Sequence, residues 1–160
     1  ENWGEPMKNI FAAVREVAEQ NDDVQIIFPM HKNPLIRDLA RESFKGIEHK
    51  VALIEPLEYV DFANLMNKCY LIMTDSGGIQ EEAPALGKPV VVLRTETERP
   101  EAVKAGTVKL AGVERNKIFE ITNELVIDDL EYHKMAHAIN PYGDGKACER
   151  IVELIVKHFE

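Results

Sequence analysis

The residues best suited to chemistry lie between Ile72 and Pro89, which read Ile-Met-Thr-Asp-Ser-Gly-Gly-Ile-Gln-Glu-Glu-Ala-Pro-Ala-Leu-Gly-Lys-Pro. The apolar run Tyr70 to Met73 predicts a strand, and Thr74, Asp75, Ser76, Gly77 and Gly78 predict a tight turn into a helix beginning at Ile79. Ser76 is expected to be the N-cap, its hydroxyl accepting from an unpaired amide of the first turn. Gly77 and Gly78 lack Cβ atoms, so an anionic group can approach the backbone N–H groups there. A phosphate suits such a helix mouth.

Glu81 and Glu82 follow one turn in. A carboxylate repels phosphate but accepts well from hydroxyls, so one of them could meet a ribose diol; equally, both could simply complement the helix dipole. Ser76 and Glu82 are six residues apart, about 9 Å along a helix, comparable to the span from a diphosphate to its ribose. Arg99, just before a helix start signalled by Pro100, can grip phosphate or sugar oxygens, or pair on the surface with Glu96 or Glu98.

The surrounding pattern alternates helix and strand. Glu5 and Pro6 open a helix whose apolar positions Ile10, Phe11, Val14, Val17 and Ala18 recur at helical spacing to Gln20. Strands are expected at 24–28, 51–54, 70–73, 89–93 and 107–111. Helices are expected at 35–44, with Leu35, Ile36, Leu39 and Ala40 inward, at 59–68 with Phe62, Leu65 and Met66 inward, and at 100–105, 115–126, 130–138 and 147–159. This order specifies an α/β fold, a Rossmann-like parallel sheet with helices on both faces. In the order 3-2-1-4-5-6 strand 1 is central, whereas this chain opens on the helix that should follow it. The five strands are therefore expected to be numbers 2 to 6, with the first strand missing from between 24–28 and 70–73.

Ligands of such sheets bind at the carboxyl ends of the strands. His31 leaves the first predicted strand at that edge, either as a ligand contact or as a loop histidine bonded to backbone. Leu57 and Phe62 follow the second strand and can reach the same edge, although Phe62 also reads as plain core.

Thr74-Asp75-Ser76-Gly77-Gly78-Ile79-Gln80-Glu81-Glu82-Ala83-Pro84, Leu86-Gly87-Lys88-Pro89, Thr97-Glu98-Arg99-Pro100-Glu101, Asn140-Pro141-Tyr142-Gly143-Asp144-Gly145 and the opening Glu1-Asn2 resemble the non-hydrolysing UDP-N-acetylglucosamine 2-epimerases. The resemblance covers the whole chain but only the C-terminal half of the family's two-domain GT-B architecture. It implies UDP and UDP-GlcNAc as ligands, with Ser76, Gly77 and Gly78 on the diphosphate, Glu82 on the ribose, Arg99 on the ligand, and Leu57 and Phe62 along the uracil. It implies a regulatory nucleotide-sugar contact for His31. Residues 1–139 would form the sheet and its helices, and 140–160 a turn and helix packing back toward the first domain, in a protein that is a homodimer at full length. No cofactor or metal is implied.

The chemistry implied is interconversion of UDP-GlcNAc and UDP-ManNAc. The C2 proton is not beside a carbonyl, so loss of UDP with that proton, giving a glucal, followed by re-addition, is the accessible route. Acid and base groups are expected from the absent domain, so no catalytic residue is named in this chain and the isolated polypeptide should not turn over. A GT-B glycosyltransferase, a hydrolysing epimerase and a non-catalytic UDP-sugar sensor would share the same binding motifs.

Composition sets wider limits. The 160 residues are 45% hydrophobic and 29% charged, ordinary for one globular domain. The net charge of −9 argues against a broad nucleic-acid or anionic-membrane surface. Cys69 and Cys148 are too few for a disulfide framework or a zinc site. No stretch approaches the roughly 18 apolar residues of a membrane span, and no signal-peptide pattern opens the chain, so the cytoplasm is the expected location.

Overall fold

The computed structural model describes residues 3–159; the Glu1-Asn2 pair lies outside them. The elements run α1 (Glu5–Gln20), β1 (Ile26–Pro29), α2 (Pro34–Ser43), β2 (Val51–Ile54), α3 (Tyr59–Lys68), β3 (Ile72–Thr74), α4 (Gly77–Ala85), β4 (Val90–Val92), α5 (Pro100–Ala105), β5 (Val108–Leu110), α6 (Arg115–Ile127), α7 (Asp129–Ala136) and α8 (Ala147–Phe159).

Every strand pairing is parallel. β1 pairs with β2, Ile26 opposite Val51, while β4 lies between β3 and β5, Val90 opposite both Ile72 and Val108. β1 and β3 are not hydrogen-bonded neighbours, so the strand order breaks where the winding pattern places a strand between them.

Alternation along β4 shows what covers each face. Successive strand side chains point to opposite sides. Val91 packs into a core with Ile10, Phe11 and Val14 of α1 and Ile118 and Leu125 of α6, whereas Val90 and Val92 pack with Ala83 of α4 and Ala102 of α5. Helices therefore cover both faces, and all three valines are fully buried, as a central parallel strand requires. Phe11, Phe28 and Phe44 close the first core, with ring centroids 5.4 to 6.4 Å apart, and tie α1 to β1 and the end of α2.

Four local expectations need correction. β1 starts two residues later and ends one residue later than the expected 24–28, because its ladder starts where Ile26 N–H donates to Lys50 O at 2.8 Å. β3 begins at Ile72; Tyr70 is half-exposed and stacks on Tyr132 with centroids 3.9 Å apart, as the Tyr132 hydroxyl donates to Tyr70 O. Leu35, expected inward, is 66% exposed. It occupies the first turn of α2, where its N–H donates to the capping Asn33 side chain at 3.0 Å. Finally, α4 starts at Gly77, two residues before the expected Ile79.

No helix among the described residues is long and apolar enough to cross a membrane. α8 is amphipathic yet has no buried residue: Ile151, Val152, Leu154, Ile155, Val156 and Phe159 are all exposed.

Candidate functional site at the mouth of α4

The turn after β3 is set by its own polar residues. Thr74 is buried and its Oγ1 accepts the Ser76 N–H at 3.1 Å, so the chain reverses before the helix begins. Ser76 is the N-cap residue of α4, with extended φ and ψ of −79° and 130°, but its hydroxyl makes no capping bond, contrary to expectation. The backbone of Ser76 is held from both sides, by Thr74 and by Gln80, whose Nε2 donates to Ser76 O at 3.2 Å, so the turn is fixed without a hydroxyl cap and the first-turn amides keep no side-chain acceptor from Ser76. Gly77 and Gly78 are the first two helical residues, and their N–H groups belong to the turn that has no intrahelical acceptors.

Neither glycine has a positive φ. Their value is the space they leave. A Cβ on Gly77 would stand 3.8 Å from Nη2 of Arg99, and one on Gly78 would stand 3.9 Å from both Oε1 of Glu82 and Oγ of Ser76. Ser76, Gly77, Gly78, Glu82 and Arg99 therefore converge on one helix mouth. Glu82 reaches it because helical side chains lean toward the N-terminus.

The two adjacent carboxylates are not equivalent. Glu81 accepts a hydrogen bond from Arg99 Nε and forms its ion pair, with Glu98 a second, more distant partner of the guanidinium at 3.9 Å. The surface pairing considered for Arg99 is thus made chiefly with Glu81, neither of the two acids adjacent in sequence. Hydrogen bonding and charge from Glu81 hold the guanidinium more firmly protonated. Glu82 is exposed and makes no ion pair among the described residues.

Gln80 and Thr97, not singled out by residue type, complete the support. Gln80 is fully buried, and the Thr97 hydroxyl donates to its Oε1 at 2.6 Å. The Arg99 N–H in turn donates to Thr97 Oγ1 at 3.0 Å. The available signal was an amide one turn after Ser76 and a threonine two residues before Arg99, where a hydroxyl can close a local turn. Tyr142 of the Asn-Pro-Tyr-Gly-Asp-Gly segment packs beside the core beneath α4; its hydroxyl is buried, and burial and the charge of Glu101 raise its pKa.

His31 and Leu57 lie on the loops that leave β1 and β2, which pair as a two-stranded sheet separate from β3-β4-β5, and Phe62 lies in α3. His31 is exposed; its Nδ1 accepts the Asn33 N–H at 3.1 Å and its carbonyl accepts from Arg37 Nε at 3.2 Å. Arg37 also forms a two-point pair with Glu55, at 2.8 and 2.5 Å, linking the loop after β1 to the loop that carries Leu57. Leu57 is 37% exposed, and Phe62, in the first turn of α3, is half-buried. Among the described residues no group of three or more His, Cys, Asp or Glu side chains is arranged to hold a metal ion.

This architecture has close counterparts. A crystal structure of a Listeria monocytogenes protein superposes with a TM-score of 0.95 at 48% identity, covering 99% of this chain and 42% of that one. The Neisseria meningitidis UDP-GlcNAc 2-epimerase bound to UDP-GlcNAc superposes with a TM-score of 0.89 at 49% identity, covering 98% and 42%. The UDP-N-acetylglucosamine 2-epimerase of Bacillus subtilis is 53% identical over 159 residues, 99% of this chain and 42% of the relative. The chain thus spans about two fifths of the length of the relatives it matches. The family pattern for UDP-N-acetylglucosamine 2-epimerase matches residues 1–156, and the chain belongs to that family.

Proposed function

We propose that this chain is the UDP-binding domain of a non-hydrolysing UDP-GlcNAc 2-epimerase, one of two domains facing each other in a GT-B arrangement. The observation that carries the reading is the division of labour between neighbouring carboxylates: Glu81 is taken by Arg99, leaving Glu82 open at the mouth beside Ser76. A nucleoside diphosphate matches that pattern, phosphates at the Gly77 and Gly78 N–H groups and ribose hydroxyls at Glu82. The Neisseria relative bound to UDP-GlcNAc and a Methanocaldococcus jannaschii relative in complex with UDP-GlcNAc and UDP support it.

In this reading the domain stabilises the departing UDP. As the anomeric C–O bond breaks, negative charge grows on the diphosphate, and the N–H groups of the first turn, the Ser76 hydroxyl and the Arg99 guanidinium meet it without reorganising. Glu81 orients the guanidinium over Gly77. Leu57 and Phe62 line the uracil, and His31 contacts a second, regulatory nucleotide sugar. The groups that remove and return the C2 proton come from the other domain. The exposed apolar face of α8 docks on that domain, which would remove Ile151, Leu154 and Ile155 from water.

Competition titrations of the full-length protein test the assignment. UDP displaces bound UDP-GlcNAc while free GlcNAc does so poorly, since every contact assigned to Ser76, Gly77, Gly78, Glu82, Arg99, Leu57 and Phe62 is to phosphate, ribose or base. GlcNAc competing as well as UDP would overturn it.

A further inference from the structure

We infer that Gln80 and Thr97 are positioning residues, a relay centred on the buried Gln80 amide that holds Ser76 and Arg99 in register across two separate loops. The inference rests on reading the α4 mouth as a diphosphate site and adds what keeps its two halves together. Ser76 follows β3 and Arg99 precedes α5, 23 positions along the chain, and among the described residues the two share no direct hydrogen bond. The relay runs from Ser76 O to Gln80 Nε2 at 3.2 Å, from Gln80 Oε1 to the Thr97 hydroxyl at 2.6 Å, and from Thr97 Oγ1 to the Arg99 N–H at 3.0 Å.

Its polarity follows from the donors available. Thr97 Oγ1 already accepts from Arg99, so its own proton points to Gln80. Turning the Gln80 amide over would set its oxygen against the Ser76 carbonyl, two acceptors face to face. Gln80 is fully buried, which screens its end of both of its bonds from solvent, while Thr97 and Arg99 are half-buried. Arg99 is the residue before the first turn of α5, with φ −124° and ψ 58°, and the Thr97 bond fixes the backbone from which its guanidinium reaches Glu81 and Gly77. Leucine at position 80 would fill much the same volume but hold neither loop.

The test compares UDP with uridine, which lacks the diphosphate, as ligands of the full-length protein. Thr97→Val keeps the shape and removes the hydroxyl; it weakens UDP about five- to tenfold, the effect of one hydrogen bond, and leaves uridine within about twofold. Thr97→Ser restores UDP binding. Gln80→Leu adds little in the Thr97→Val background, because the relay is already cut, and if Gln80→Leu does not fold the two Thr97 variants decide. Hydrogen exchange at the Arg99 amide quickens in Thr97→Val. Unchanged UDP affinity in Thr97→Val, or an equal loss for uridine and UDP, overturns the relay as a positioning device. An unmodified protein that binds UDP no more tightly than uridine overturns the diphosphate site itself, and with it this inference, even where the Arg99 amide is protected as the structure requires.

Discussion

Replacing Glu82 with glutamine isolates the proposed ribose contact from the proposed phosphate contacts. A hydrogen bond to a charged acceptor contributes about 1.5 to 3 kcal/mol. Glu82 is exposed, unlike the buried Gln80 two positions before it, so solvent screening puts its contact at the low end, about 1.5 kcal/mol or roughly tenfold in UDP affinity. Glu81 cannot take over the role without releasing Arg99. The sign is itself informative. A carboxylate beside Ser76 Oγ repels the diphosphate, so a Glu82 that served only the helix dipole would, once neutralised, leave UDP binding unchanged or tighter. Calorimetry on the full-length protein with UDP and with 2′,3′-dideoxy-UDP separates the cases. Glu82→Gln is expected to weaken UDP about tenfold and to cost little further for the dideoxy ligand, which already lacks the hydroxyls. Equal losses for both ligands, or a gain for UDP, would refute the reasoning.

Two further perturbations test the framework around the site. Thr122 is buried in α6 with its hydroxyl unpartnered among the described residues, so Thr122→Val, which replaces that hydroxyl with a methyl of similar size, is expected to stabilise the protein by about 1 kcal/mol, read as a rise in the denaturation midpoint at unchanged slope; a lower midpoint would show that the hydroxyl has a partner in solution. Asp144 accepts two hydrogen bonds from Arg150 at 3.0 Å and one from the Lys146 N–H, which together hold its carboxyl down at about 2. The lowered value means that the link between the 140–146 turn and α8 is complete above the usual aspartate range and is lost as pH falls through about 2. A carbon-13 titration of Asp144 should find that midpoint and find it raised in Arg150→Gln, and an identical midpoint in both proteins would show that Arg150 is not its cause.

Much of this chain is legible locally. The helix spans of α3, α5 and α8 follow from start signals and apolar spacing, because a helix satisfies its hydrogen bonds within a few residues. The strand–turn–helix around Ser76 is legible for the same reason, since glycines and small polar residues act on their own backbone. The parallel winding follows from the alternation of elements. Strand limits are less so: β1 and β3 are shifted because a strand's ends are set by the partner it pairs with, here Lys50 for Ile26 and Pro89 for Ile72. The site divides in the same way. Residue type alone makes Glu81 and Glu82 interchangeable on one helical turn, and only the approach of Arg99 from a loop 18 residues away assigns the first to the arginine and frees the second. Gln80 reads as an ordinary polar helix residue until α4 packs on the sheet and buries it against Thr97. The sequence by itself determines which groups can bind a diphosphate, because that is a property of side chains and local backbone; which of them are spent on one another is decided by the tertiary structure, because that depends on contacts between segments distant in the chain.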